Sequence, residues 1–222
     1  MIMSTNNDLL SPISLGTIQE EPQVTRQERA DAVANRALIL ETADTLFAQH
    51  SVAAINMADI AKAAGVGKGT LYRRFANKGE LCLALMDNQT REFQNNMLAR
   101  MREMSQQGVG PLQQLDQFLD ALVYYVEDHA PLLCEVQRSG LLEEGELNQE
   151  RPYFWQFMTI SGLLRLAQAQ GQCRADIDAD YVADALLAPL NANIFRFQRQ
   201  GRGFSLERIS TGLRSLVVGL QT

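Results

Sequence analysis

The chain has 222 residues, 46% of them hydrophobic and 21% charged, with 20 Lys and Arg against 26 Asp and Glu for a net charge of −6. That is ordinary globular composition in a length able to bury a sizeable core, which sets aside collagen-like and wholly disordered classes. No apolar run approaches the ~18 residues of a membrane span, and no Lys or Arg precedes Arg26, so neither a membrane protein nor a secretory signal with a basic start is expected.

Residues 1–25 hold Pro12, Pro22 and scattered Ser, Thr and Asn with no sustained period, and the first 30 residues are expected to be a mobile tail. From about Asp31 the pattern turns helical. Ile39, Leu40, Ala43, Leu46 and Phe47 recur at spacings of three and four, an amphipathic stripe that stops near His50. Asn56 is placed to cap a second helix, with Asp59 three residues on. Met57, Ile60, Ala61 and Ala64 give that helix a narrow apolar stripe, and Gly65 ends it. A third short helix runs from about Lys68 to Phe75. Leu71 and Phe75 share its inner face, which leaves Lys68, Thr70, Arg73 and Arg74 largely outward and Tyr72 on the flank. Asn77 with Glu80 predicts a capping-box-like start for a long helix reaching about Gln107.

The remainder also reads as helical. Pro111 opens a segment running to Val126, and Leu132–Leu142 reads as a separate helix. Glu143–Arg151 is polar and is expected to be a loop. Pro152 starts a segment ending near Gly171, and Asp178–Arg199 is another, bent at Pro189. Ser205 caps a last helix to about Gly219. With no hairpin signal and no useful alternating run, the fold class is all-α.

The charge is unevenly spread. Residues 57–79 hold five cations (Lys62, Lys68, Arg73, Arg74 and Lys78) and one carboxylate (Asp59), a local +4 that leaves −10 for the rest. All three lysines of the chain lie in this window. A small basic face on an acidic body suggests one surface that meets a polyanion. Two short helices joined by a tight Gly-containing turn form the helix-turn-helix layout, whose second helix enters the major groove of DNA. Small Ala61, Ala64 and Val66 let the helices cross closely. Lys68, Thr70, Tyr72, Arg73 and Arg74 offer donors for phosphates and base edges within two turns.

The run from Ile39-Leu40 through Met57-Ala58-Asp59-Ile60-Ala61, Ala64-Gly65-Val66, Gly69-Thr70-Leu71-Tyr72, Phe75 and Lys78 to Leu81 resembles the DNA-binding domain of TetR/AcrR-family bacterial transcriptional regulators. The resemblance spans roughly residues 34–82. It implies that Lys68, Gly69, Thr70, Tyr72 and Arg73 face the major groove, that Tyr72 and Arg74 lie near phosphates, and that Lys78 binds a phosphate. It implies a helix-turn-helix domain over residues 31–82, followed by a helical ligand-binding and dimerisation domain over 83–222. Four positions depart from the family pattern. Ser51 stands for a usual Gly, Gly67 for a Ser or Thr cap, Arg74 for a His, and Gly79 for a common Glu. The last two changes strengthen phosphate attraction, so binding is expected to depend steeply on salt.

Other chemistries fit less well. Gly65-Val66-Gly67-Lys68-Gly69-Thr70 lacks the spacing of a nucleotide-binding loop, and a helix precedes it where such a loop needs a strand. His50 and His129 have no metal-ligand spacing and read as helix-end or surface residues. Cys82, Cys134 and Cys173 are isolated, with no CxxC pair, and read as free thiols packed as small apolar groups in a reducing cytoplasm. No catalytic constellation is present, so neither enzyme activity nor a cofactor or metal is expected.

In the C-terminal part, Phe93, Met97, Met101, Phe118, Leu122, Tyr125, Trp155 and Met158 either fill a bundle core or line an apolar cavity. The resemblance implies a pocket there for a small apolar or amphipathic effector. Leu187, Leu190, Ile194, Leu206, Ile209, Leu213 and Leu216 make the last helices more apolar than a monomer's outer helices need to be. They either pack on their own domain or, as the resemblance implies, form a homodimer interface. The expected function is a cytoplasmic ligand-responsive repressor that binds a palindromic double-stranded DNA operator as a dimer, with no membrane partner. The alternative is a DNA-binding protein whose C-terminal domain is a protein-interaction module without an effector.

Overall fold

The computed structural model describes residues 26–140 and 152–221. Helix α1 (Arg26–Gln49) begins at Arg26 rather than Asp31. Its first turn lacks an apolar period but is built of good helix formers, so propensity rather than periodicity extends it. Part of the expected tail is therefore helical, and residues 1–25 lie outside the described residues. A 3₁₀ turn (Val52–Ala54) leads into α2 (Met57–Ala63), α3 (Lys68–Arg74) and the long α4 (Lys78–Gln106). These pack around Ile39, Ala43, Ile60, Leu71, Phe75 and Leu81 as one apolar cluster.

Helix α5 (Pro111–Arg138) is continuous, where the sequence suggested a break after Val126. Pro131 sits inside it and is exposed. One missing N–H there removes a single helical hydrogen bond, and the buried face on either side holds the helix together. Helix α6 (Pro152–Ala169) follows, and the expected loop at 143–151 lies outside the described residues. The next segment, expected to bend at Pro189, is broken there. Helix α7 (Ala179–Leu187) ends in a 3₁₀ turn at Ala188–Leu190, and α8 (Ala192–Arg196) runs on into a π-helical turn at Phe197–Gly201. Helix α9 (Leu206–Val218) starts at Ser205, whose hydroxyl accepts from the Arg208 N–H at 3.1 Å. Among the described residues there is no strand, only a single bridge between Cys173 and Gln221.

A second and larger cluster holds the body together. It includes Leu115, Phe118, Leu122, Ile160, Leu164, Ala183, Phe195 and Leu213. On one side α9 is tied to α5: Arg214 pairs with Asp116 at 2.8 Å, and the Ser210 hydroxyl donates to Asp120. On another, the Arg199 guanidinium meets both oxygens of Glu127 on α5 and also donates to the Phe204 carbonyl. A third, much smaller cluster of Val52, Cys82 and Val136 joins head to body. No helix among the described residues is long and apolar enough to cross a membrane.

Candidate DNA-binding surface

The geometry of the head follows from local chemistry. The Asn56 side chain accepts from the N–H groups of Ala58 and Asp59 at 2.9 and 3.0 Å, while Asp59 accepts from the Asn56 N–H at 2.9 Å. This reciprocal box fixes the start of α2. At its other end Gly65 has φ +65°, a conformation that L side chains avoid. The Val66 N–H then bonds to the Ala61 carbonyl at 3.0 Å and the Gly65 N–H to the Lys62 carbonyl at 3.2 Å. That pair of bonds is a Schellman closure, and it aims the chain into α3.

Helix α3 has no side-chain cap at Gly67. It is held from beneath: Leu71 is fully buried and Phe75 nearly so, with the Arg36 guanidinium of α1 5.2 Å from the Phe75 ring centre. Lys68, Gly69, Tyr72 and Arg73 are exposed, and Tyr72 shows half its surface to solvent. Thr70 and Arg74 are half-buried, and the Arg74 Nε is sealed from solvent without a hydrogen-bond partner. A Cβ added at Gly69 would meet nothing within 4 Å. The chain itself therefore gives no reason for glycine there, whereas a surface approaching from outside would.

Lys78 lies elsewhere. Its ammonium points inward, donates to the Val52 carbonyl, stands 3.5 Å from a Glu135 carboxylate oxygen and lies 5.9 Å from the Phe47 ring centre. Both side chains of this ion pair are 11% exposed. Glu135 also pairs with Arg138. Sequence reasoning did not single out Glu135. The available signal was a carboxylate on the same helical face as Leu132 and Val136. Beside it, burial first and then the Glu135 charge push the Cys82 thiol up to about 12. The start of α4 differs slightly from a reciprocal box: Asn77 accepts from the Glu80 N–H at 2.9 Å, but Glu80 accepts from the Ala76 N–H at 2.8 Å.

In the body, the eight aromatic and aliphatic residues singled out from the sequence fall into three settings. Met97, Phe118, Leu122 and Tyr125 are buried in the main cluster, Phe93, Met101 and Trp155 pack at its edge, and Met158 is exposed. Phe93 stacks on Tyr125 at 4.5 Å and meets the Trp155 ring edge-on at 6.1 Å. Tyr125 shares a 2.6 Å hydrogen bond with Thr90 and stacks on His129. His129, expected at a helix end or on the surface, is instead buried within α5. Its Nδ1 lies 2.8 Å from the Tyr125 carbonyl and its Nε2 2.9 Å from the Gln89 amide.

The seven residues named for an interface do not share one surface. Leu187, Leu190, Ile209 and Leu213 are buried in the subunit's own core, Leu206 packs at its edge, and Ile194 and Leu216 are about half exposed. In the same C-terminal elements Tyr181, Phe197 and Val218 are exposed as well.

The head matches known proteins directly. Residues 39–85 match the model of bacterial regulatory proteins of the tetR family. The head is a TetR-family DNA-binding domain. An HTH-type transcriptional regulator of Staphylococcus aureus (strain bovine RF122 / ET3-1) is 28% identical over 179 residues, 81% of this chain and 90% of that protein. Another, from S. aureus strain MRSA252, matches to the same extent. Two solved structures share the fold at TM-score 0.60. A transcriptional regulator from Saccharomonospora viridis in complex with choline is 21% identical, covering 84% of this chain and 96% of that one. The TetR-family repressor FadR of Thermus thermophilus in complex with lauroyl-CoA is 19% identical, covering 82% and 93%. With that domain at its head, this chain is a DNA-binding transcriptional regulator with a helix-turn-helix head and a helical body.

Proposed function

We propose that the protein is an effector-responsive repressor that binds a palindromic operator as a homodimer, with residues 31–82 as the reading head and 83–222 as the sensing and pairing domain. The observation that carries this is α3: Lys68, Gly69, Tyr72 and Arg73 project from a helix anchored by buried Leu71 and Phe75. Tyr72 and Arg73 read base edges and phosphates, Lys68 and Thr70 add donors, and the bare backbone at Gly69 admits close approach. Arg74 reaches phosphate through whatever part of its guanidinium is not sealed. A two-fold pair of heads matches two half-sites about one helical turn apart.

The sensing role is supported by the liganded relatives, which hold choline and lauroyl-CoA, and by the aromatic edge of Phe93 and Trp155 over Phe118. These favour a small apolar or amphipathic effector over a body that only meets another protein. Pairing uses the exposed faces around Ile194 and Leu216. An effector that prefers the non-binding arrangement by a few kcal/mol is enough to empty the operator. The test is selection of bound sequences from random DNA by the full-length protein, repeated with acyl-CoA and quaternary-ammonium compounds. Enrichment of a palindrome that a compound abolishes is the expected result, and no enrichment would refute the reading.

A further inference from the structure

We propose that Lys78 is not a phosphate ligand but a tie that, with Glu135 as positioning residue, sets the angle of the DNA-binding head on the body. The ammonium joins three separate pieces of the chain. It grows from the first turn of α4, donates to the Val52 carbonyl in the 3₁₀ turn between α1 and α2, and faces Glu135 near the end of α5. A cation in a first turn sits against the positive end of its own helix, so it needs an outside partner to settle there. Glu135 supplies that partner from the body, where its side chain is 11% exposed.

The rest of the seam is thin. Among the described residues, the buried apolar cluster across it is small: Val52, Cys82 and Val136, with a fringe of Phe47, Leu83 and Leu132. Next to that cluster lies a cleft of about 670 Å³, lined by Ser51 and Val52 on one side and Cys134, Glu135 and Arg138 on the other. Packing of this kind resists separation but does not select one angle. A buried ion pair with fixed donors does, because sliding either element leaves a charge without a partner. Glu135 is also shared with Arg138, which faces the cleft, so the carboxylate is held from both sides.

This inference rests on the proposed dimeric repressor only in its effect on operator binding, and the experiment separates the two. The full-length wild type, Lys78→Gln and Glu135→Gln are titrated with a random-sequence duplex across a range of salt. A phosphate ligand lost at Lys78 lowers the slope of log affinity against log salt by about 0.9. The tie leaves the slope of Lys78→Gln equal to wild type, and a drop near 0.9 overturns it. The same proteins are then bound to the sequence that the wild type enriches from random DNA. Glu135→Gln is expected to lose roughly tenfold in that affinity while keeping its random-duplex affinity, since only paired heads need a fixed angle. Equal affinity of Glu135→Gln and wild type for the enriched sequence overturns the tie. A wild type that enriches nothing overturns the repressor reading instead, and hydrogen exchange then decides the tie. Glu135→Gln speeds amide exchange in 52–54 and the first turn of α4 if the tie holds, and unchanged exchange there overturns it. The exchange measurement also serves if Lys78→Gln does not fold.

Discussion

At the scale of single residues, function rests on side chains that the fold leaves unused. Tyr72 and Arg73 are exposed and, among the described residues, make no side-chain hydrogen bond or ion pair, while the neighbouring Leu71 is fully buried. Tyr72→Ala and Arg73→Ala are therefore expected to leave helicity and unfolding temperature unchanged and to weaken binding to the enriched sequence by roughly 5- to 150-fold, as losing a base contact worth about 1–3 kcal/mol does. Gel-shift titration alongside circular dichroism checks both parts, and undiminished binding would remove α3 from the interface. Cys82 gives the converse case, a residue fully spent on folding. Its thiol is pushed up to about 12 from an ordinary 9.0. The unfolded chain thus gives up this proton first, so the contribution is complete below about pH 9 and is lost as pH rises toward 12. Thermal unfolding between about pH 8 and pH 11 is expected to fall more steeply for wild type than for Cys82→Ala. Parallel curves would contradict the assignment.

At the scale of elements, much was legible where the signal was local. Asn56, Asp59 and Gly65 specify the ends of α2 through hydrogen bonds spanning at most five residues, and the structure makes those bonds. Pro189 reads as a bend, and the structure ends α7 there in a 3₁₀ turn. Helix α5 is different, because Pro131 looks like a stop and is not one. Its cost, one missing hydrogen bond with some local strain, is outweighed by burial of Tyr125, Val126, His129 and Val136 along the same face. Pro131→Ala restores an N–H facing the residue 127 carbonyl at an exposed site. It is expected to raise stability by about 1–3 kcal/mol in urea unfolding. No gain would mean that the helix had already adapted to the ring.

At the scale of the whole molecule, the question is which apolar faces close on themselves. Leu187, Leu190, Ile209 and Leu213 are used inside the subunit, against α5 and its neighbours. Ile194, Leu216 and Val218 remain in contact with solvent. Leu216→Arg is expected to convert a dimer to a monomer in sedimentation velocity with helicity intact, since the side chain is 56% exposed within the subunit. A variant that still sediments as a dimer would move the pairing surface elsewhere.

The sequence by itself determined the helices of the head, their caps and turn, the outward basic face of α3 and the resemblance of the head to the TetR family. All of these are written in contacts between residues a few positions apart, and a short window of chain is enough to specify them. Only the tertiary structure decided which apolar stripe of α7 to α9 faces inward, that His129 is buried against Tyr125 and Gln89, and that the Lys78 ammonium turns toward Glu135. Each of those depends on at least one partner in another helix, whose approach is fixed by how whole helices pack. Periodicity reports that a face is apolar or a residue charged, and says nothing of what that face or charge will meet.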